Sequence, residues 1–531
     1  MIKATNPVLS GFHPDPSILR VGKDYFLATS TFQWFPGVEL YHSEDLVNWE
    51  HLPSPLNRVS QLDMSGNPNS GGVWAPCLSY SDGLFYLIYT NVKNFHGIFK
   101  DTHNYLVTTD DIFLGNWSDP VYLNSSGFDP SLFHDDDGRK YLLNMRWDPR
   151  MENHAFSGII LQEYSVKEKK LVGEITNVFA GTVIGGTEGP HLYKHDGYYY
   201  LLVAEGGTMY HHGVRLARSR DLLGPYEADP LPVLTARDNR KHPLQRTGHA
   251  SLIQAANGDW YLAFLCGRPI GEKGRCILGR ETCITQVEWR DGWLRLKDSE
   301  VLPSPVYYVD LPEKKYRRSD ETVYFNSDTL PLEFKTLRIP FNEEIGSLTE
   351  RKGYLRLYGR ESVTSWNKQS LVGRRLQHFK TRSTVKMEFA PSDFQQTAGL
   401  EVIYDTYNFF YLYMSRGDNG DNVLRLIIRD NLRFIDPLMK GISIGNNNVV
   451  WFRVTINDLS LKFSYSLDGV DFVDVCGELD CSDLADEAYF DIGHEGHTGT
   501  FIAMSCQDLS RGESDSRCHA DFESFSYEVL E

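Results

Sequence analysis

The chain has 531 residues, which favours two to four domains of about 150 residues over a single core. Its 53 Lys and Arg against 71 Asp and Glu leave a net charge of −18, and a surface of that sign repels nucleic-acid phosphates and anionic lipid, so neither nucleic acid nor membrane is an expected partner. A hydrophobic fraction of 41%, with 13% aromatic residues, excludes a disordered chain. The opening segment, MIKATNPVLSGFHPDPS, has no apolar stretch of the roughly 7–15 residues a signal peptide carries, and no run of about 18 apolar residues occurs further on, so a soluble, cytoplasmic protein is expected. Eight cysteines without a CxxC pair fit free thiols in a reducing compartment.

Along the chain, five segments share one design: a polar or aromatic lead residue, an apolar run, a turn, then an aromatic-rich run. They are DPSILRVGKDYFLATS from Asp15, WAPCLSYSDGLFYLIYT from Trp74, DPSLFHDDDGRKYLLNM from Asp129, EGPHLYKHDGYYYLLVA from Glu188 and HASLIQAANGDWYLAFL from His249. Each has a central glycine (Gly22, Gly83, Gly138, Gly197, Gly258) beside Asp, Asn or Lys, which is hairpin-turn chemistry between two strands, and helical spacing is nowhere sustained. The DDDG of Asp135 to Gly138 has a calcium-loop composition, but its place in the repeat makes it a hairpin turn. Five all-β units predict a five-bladed β-propeller over residues 1–310. A Pro- and charge-rich stretch at about 305–325 then reads as a boundary. Beyond it, long alternating strands such as GLEVIYDTYNFFYLYMS and VVWFRVTINDLSLKFSYSLDGVDFV predict a β-sandwich over 325–531. The fold class expected is all-β.

In a propeller the first strand of each blade lines the central channel, so the five lead residues should converge there. Asp15, Asp129 and Glu188 then place three carboxyls in one ring with Trp74 and His249. Two carboxyls across a sugar-sized gap are the working parts of a glycoside hydrolase: Asp15 suits a base that stays ionised, and Glu188 an acid of raised pKa. Asp129 would raise that pKa through like charge and orient Glu188. An Asp-Pro pair alone is more often a turn, but three acids at one repeat position crowd charge that function would retain. Trp74 offers a sugar-stacking face, and Phe32 and Trp34 either wall the pocket or pack in the core. His249 is either a satisfied structural histidine or, on the axis, the holder of a water or of a structural or activating divalent cation such as calcium; no cofactor is required otherwise. Arg280 either clamps a sugar hydroxyl or Asp15, or pairs at the surface with Glu281.

NPVLSGFHPDPSI, SGGVWAPCL, SSGFDPSLF, IGGTEGPHLY, TGHASL and LGRET, with the C-terminal TGTFIAMSCQDL and CHADFESFSYE, resemble glycoside hydrolase family 43, in its long β-xylosidase branch. The resemblance spans essentially the whole chain. It implies an inverting enzyme in which Asp15 matches the general base, Asp129 the pKa-modulating acid and Glu188 the general acid. Arg280 matches an arginine on the terminal sugar, while Phe32, Trp74, Thr208 and His249 match positions lining the pocket or axis. It also implies a lectin-like sandwich whose loop closes the pocket with a phenylalanine, matched to Phe501, action on the ends of short β-1,4-xylo-oligosaccharides, and a homo-oligomer, often a tetramer. One departure is Asn91 in IYTNVKN, where similar sequences lead one to expect Asp. An α-L-arabinofuranosidase or arabinan-degrading enzyme on the same scaffold, and a non-catalytic propeller acting as an interaction platform, are the competing readings.

Overall fold

The computed structural model describes residues 1–316, 321–431, 433–510 and 518–531, so residues 317–320 of the expected boundary lie outside the described residues. Five antiparallel sheets follow one another in sequence order, each built on one of the five repeat segments. Their innermost strands are Ser17–Val21, Gly72–Ser81, Ser131–His134, Glu188–His195 and Gln245–Gln254. Four of the sheets have four strands and the fourth blade has five. The turn at Asp135 to Gly138 is the hairpin between Ser131–His134 and Lys140–Trp147, with Asp135 and Asp136 both paired to Lys194. The ring is strapped shut where Ile2–Thr5 pairs with Val306–Val309 and Val8 N–H donates to Thr282 O.

The repeat has a backbone signature that sets the site. Asp15, Ala75, Asp129, Gly189 and His249 all lie at positive φ (56°, 41°, 56°, 58° and 38°), each followed by a proline except His249. The innermost strands of the second, fourth and fifth blades slip register here. A left-handed residue between two extended ones turns the chain sharply, re-aiming the side chains on either side, and four of these five are not glycine. Asp15, Asp129 and His249 therefore occupy the bend itself, whereas Trp74 and Glu188 stand one residue before it. Phe128 and Gly248 share the position of Trp74 and Glu188.

The second domain is a sandwich of two nine-stranded antiparallel sheets over a core that includes Leu400, Val402, Leu412, Phe452, Phe463 and Phe525. Alternation is plain in Lys380–Phe389 and Val449–Asn457, where every second residue is buried. One sheet is completed by the propeller: Trp34 and Phe35 pair with Leu337 and Thr336. Behind that edge lies a shared apolar cluster of Phe12, Phe32, Trp34, Ile403 and Phe501. Buried charges cross the same boundary. Glu39 is held by Lys335 (2.6 Å), Arg375 (2.9 Å) and His51, and Arg338 donates to Asn67 O (2.7 Å) and Asn69 Oδ1 (2.6 Å). Among the described residues the one helix is Asp486–Asp491, and no helix is long and apolar enough to cross a membrane.

Candidate active site

A cavity of about 350 Å³ opens at the bends, at the small end of the roughly 300–1,000 Å³ typical of ligand pockets. Its floor holds Asp15, Asp129, Glu188, His249 and Arg280, and its sides include Phe32, Trp74 and Thr208. Eight of the ten residues singled out from sequence thus come together, Trp34 and Phe501 being the two that do not line the cavity.

Asp15 is held from two sides. Ser30 Oγ donates to its Oδ2 at 2.6 Å and Arg280 Nη1 to its Oδ1 at 3.0 Å. Burial works against the charged carboxylate, but the Arg280 guanidinium, His249 and the Ser30 hydroxyl outweigh it and hold Asp15 below its ordinary pKa. Arg280 is buried, lies 5.3 Å from the Phe32 ring centroid and also donates to His497 O at 3.3 Å; Glu281 pairs instead with Arg268. Of the readings open for Arg280, the clamp on Asp15 is the one the structure shows.

Glu188 is the opposite case. Burial first, and then the Asp15 charge, push it up to about 8, with Glu495 adding to the rise and Arg280 and Lys100 opposing it. Asp129 is likewise raised well above the usual carboxylate range by burial, Glu188 and Asp15. Repulsion between Asp129 and Glu188 is mutual, so each disfavours the other's ionisation while Asp15 carries the negative charge. Asp129 Oδ2 also accepts the Gly189 N–H at 3.1 Å, which ties it to the bend carrying Glu188. A Cβ on Gly189 would lie 3.0 Å from His249 Cε1, so glycine there lets the imidazole reach the floor. His249 Nδ1 stands 3.9 Å from Asp15 Oδ1 and 3.8 Å from Asp129 Oδ2, and burial keeps the ring toward its neutral form. Among the described residues no three His, Cys, Asp or Glu side chains converge on a metal-holding arrangement.

Phe501 does not close the pocket. It is fully buried, its ring stacked on Trp34 at 3.6 Å between centroids and edge-on to Phe12 at 6.5 Å, in the cluster that joins the domains. It opens a strand, Phe501–Asp508, whose outer face is covered by the propeller, which is why a phenylalanine after a Gly-Thr turn packs inward here. Trp34 shares that cluster and takes the core reading rather than the wall. The sandwich instead reaches the pocket with Phe490, Glu495 and His497, on and just after the helix Asp486–Asp491. Asn91 is buried, accepts from Asn67 Nδ2 at 3.1 Å and does not line the cavity.

The sequence reading also missed Lys100, Phe128, Trp147, Phe156 and His212. Phe128 had a signal: it precedes Asp129 as Trp74 precedes Ala75, and its ring is edge-on to Trp74 at 5.5 Å. Lys100 comes from a loop and Trp147 from the end of the strand Lys140–Trp147, neither at a position the repeat singles out, and they pack with Lys100 Nζ 4.4 Å from the Trp147 ring.

One carboxyl kept ionised and another kept protonated in an aromatic-walled pocket are what acid–base cleavage of a glycosidic bond demands, and this places the chain among the glycoside hydrolases. The family is equally plain. The model for glycosyl hydrolases family 43 matches residues 4–294, and that for the beta xylosidase C-terminal Concanavalin A-like domain matches residues 322–528. A beta-xylosidase of Bacillus subtilis (strain 168) is 48% identical over 537 residues, covering 99% of either chain. A xylosidase/arabinosidase of Humicola insolens is 45% identical over 545 residues, covering 100% of this chain and 98% of its own. The crystal structure of a xylan beta-1,4-xylosidase from Bacillus halodurans C-125 superimposes with a TM-score of 0.96 at 50% identity, covering 99% of this chain and 100% of that one. The chain belongs to glycosyl hydrolases family 43.

Proposed function

We propose that the protein is an inverting, exo-acting β-1,4-xylosidase that releases xylose from the ends of short xylo-oligosaccharides. The observation that carries the mechanism is the split between Asp15, held ionised by Arg280 and Ser30, and Glu188, held protonated near neutral pH by burial and the Asp15 charge. In this reading Asp15 takes a proton from water as that water attacks the anomeric carbon. Glu188 gives its proton to the glycosidic oxygen as the bond breaks, so configuration inverts. Asp129 orients the Glu188 bend through Gly189 N–H and disfavours Glu188 ionisation. Arg280, besides holding Asp15, keeps donors for a sugar hydroxyl; Trp74 and Phe32 give the terminal ring its apolar faces, and Thr208 and His249 complete the lining.

Exo action is supported by the wall of Phe490, Glu495 and His497, which the second domain sets across one side of the cavity. The α-L-arabinofuranosidase reading remains as a second activity, favoured by the double name of the Humicola insolens relative. Hydrolysis of paired aryl β-xyloside and α-arabinofuranoside tests both, with proton NMR of the first-formed xylose. Predominant xylose release as the α-anomer supports the proposal; β-xylose contradicts Asp15 as base, and inactivity on both glycosides favours a non-catalytic platform. A cytoplasmic, homo-oligomeric enzyme, up to a tetramer, belongs to the same reading. Eight free cysteines support the compartment and the family resemblance supports the assembly.

A further inference from the structure

Arg246 sits at positive φ, 56°, in an irregular stretch of the strand Gln245–Gln254, where register slips between Gln245 and Gly248. A non-glycine residue in that conformation persists only where its surroundings enforce it. Here they do: a Cβ on Gly267 would lie 3.2 Å from Arg246 Cδ, so bare backbone leaves its side chain room, and the side chain is fully buried.

All three arms of the guanidinium are used. Nε donates to Thr208 O at 3.0 Å, Nη1 to Glu487 Oε1 at 2.8 Å and Nη2 to Asp486 Oδ2 at 2.6 Å. The two carboxylates are fixed from behind, Asp486 by the Tyr404 hydroxyl at 2.6 Å and Glu487 by Cys276 N–H at 3.0 Å. Thr208 is a pocket wall from the fourth blade, and Asp486 and Glu487 open the six-residue helix whose Phe490 is the wall from the sandwich. One planar fork thus joins two walls that otherwise belong to different domains.

We infer that Arg246 is a positioning residue that sets the pocket's width by holding the Phe490 wall against the Thr208 wall. The inference rests on the glycosidase reading of the pocket. Two other cross-domain arginines, Arg338 and Arg375, bond to Asn67, Asn69, Phe12 O and Glu39, none of which lines the cavity; Arg275 reaches the far end of the same helix through Asp491 at 2.7 Å, and Arg280 reaches the His497 backbone at 3.3 Å, but neither bonds to the Thr208 wall.

The test is a double-mutant cycle on the full chain, reading KM and kcat on xylobiose and the Kd of D-xylose from the fluorescence of Trp74 and Trp147. Arg246→Lys and Phe490→Ala should each raise KM and Kd on the order of tenfold with kcat changed less than about threefold, and the double variant should be no worse than either. Arg338→Lys should lower stability and leave KM alone. If Arg246→Lys gives no soluble protein, Glu487→Gln takes its place in the cycle, keeping an acceptor for Cys276 N–H while removing the charge that faces Arg246. Multiplicative losses of about a hundredfold in the double variant, or an unchanged KM beside lowered stability, overturn the inference. A wild-type chain that neither cleaves xylobiose nor binds D-xylose contradicts the xylosidase reading instead, and the same cycle is then read through L-arabinose binding.

Discussion

The floor of the pocket and its far wall are built in different ways. The floor comes from one backbone bend repeated at residues 15, 75, 129, 189 and 249, so residues scattered over more than 230 positions of sequence meet because the fold repeats. The wall of Phe490, Glu495 and His497 comes from a single short helix and the loop after it, held by contacts that occur once. A repeated device fixes chemistry and a unique one shapes access. The two should therefore fail differently when they are broken.

The largest effect is expected on the floor. Asp15→Asn removes the base and should cost at least about a thousandfold in kcat on every substrate, while Glu188→Ala should cost about 10²–10⁴-fold on xylobiose and far less on a dinitrophenyl xyloside, whose leaving group departs with little protonation. Steady-state kinetics on the two substrates checks this, and equal losses in Glu188→Ala would make that residue a binding group. Next comes removal of the sandwich. A chain ending near residue 316 leaves Glu39 without Lys335 and Arg375 and Arg246 without its carboxylates, and uncompensated buried charge is strongly destabilising. Such a chain should be insoluble or unfolded by circular dichroism; a folded, active propeller would show the wall to be dispensable.

Two phenylalanines sharpen the comparison further. Phe501→Ala empties a packed interdomain site and should lower stability by about 3–5 kcal/mol in denaturant unfolding, with KM little changed in protein that remains folded. Phe490→Ala should do the reverse, raising KM with a stability loss of about 1 kcal/mol or less. A last effect, on stability alone, lies outside both regions. Glu401, buried in the sandwich, is pushed up to about 8 by burial, so the folded state holds its proton while the unfolded chain, at an ordinary value near 4.3, does not. Its raised pKa makes stability fall as pH climbs from about 4.3 to about 8, and Glu401→Gln should flatten that fall. Thermal unfolding at pH 5 and pH 8 measures it, and identical slopes in both proteins would show Glu401 to be ionised in the fold.

The difference between floor and wall also marks what could be read from sequence. The repeat exposed Asp15, Trp74, Asp129, Glu188 and His249 because hairpin spacing is local and recurs. The one-residue offset between Asp15 and Glu188 was hidden, since a left-handed bend leaves no mark on residue type when four of its five positions are not glycine. That offset is also why Phe128 went unnoticed. Lys100 sits in the loop before Asp101–Thr109 and Trp147 at the far end of Lys140–Trp147, away from the hairpin turns that define the repeat. Phe490 lies in a sequence, DEAYFDIGHEGH, whose helix is only six residues long and is held by Arg246 from the other domain. No periodicity could reveal it, and the nearby Phe501 in TGTF drew the assignment instead.

The central claim is that one floor holds two carboxyls in opposite protonation states. The pH dependence of kcat/KM on xylobiose, whose sugar leaving group needs the acid, tests it most directly. The wild type should give a bell whose acid limb reports Asp15 and whose alkaline limb lies near 8, and Glu188→Ala should lose the alkaline limb while keeping the acid one. A variant that retains both limbs would contradict the account.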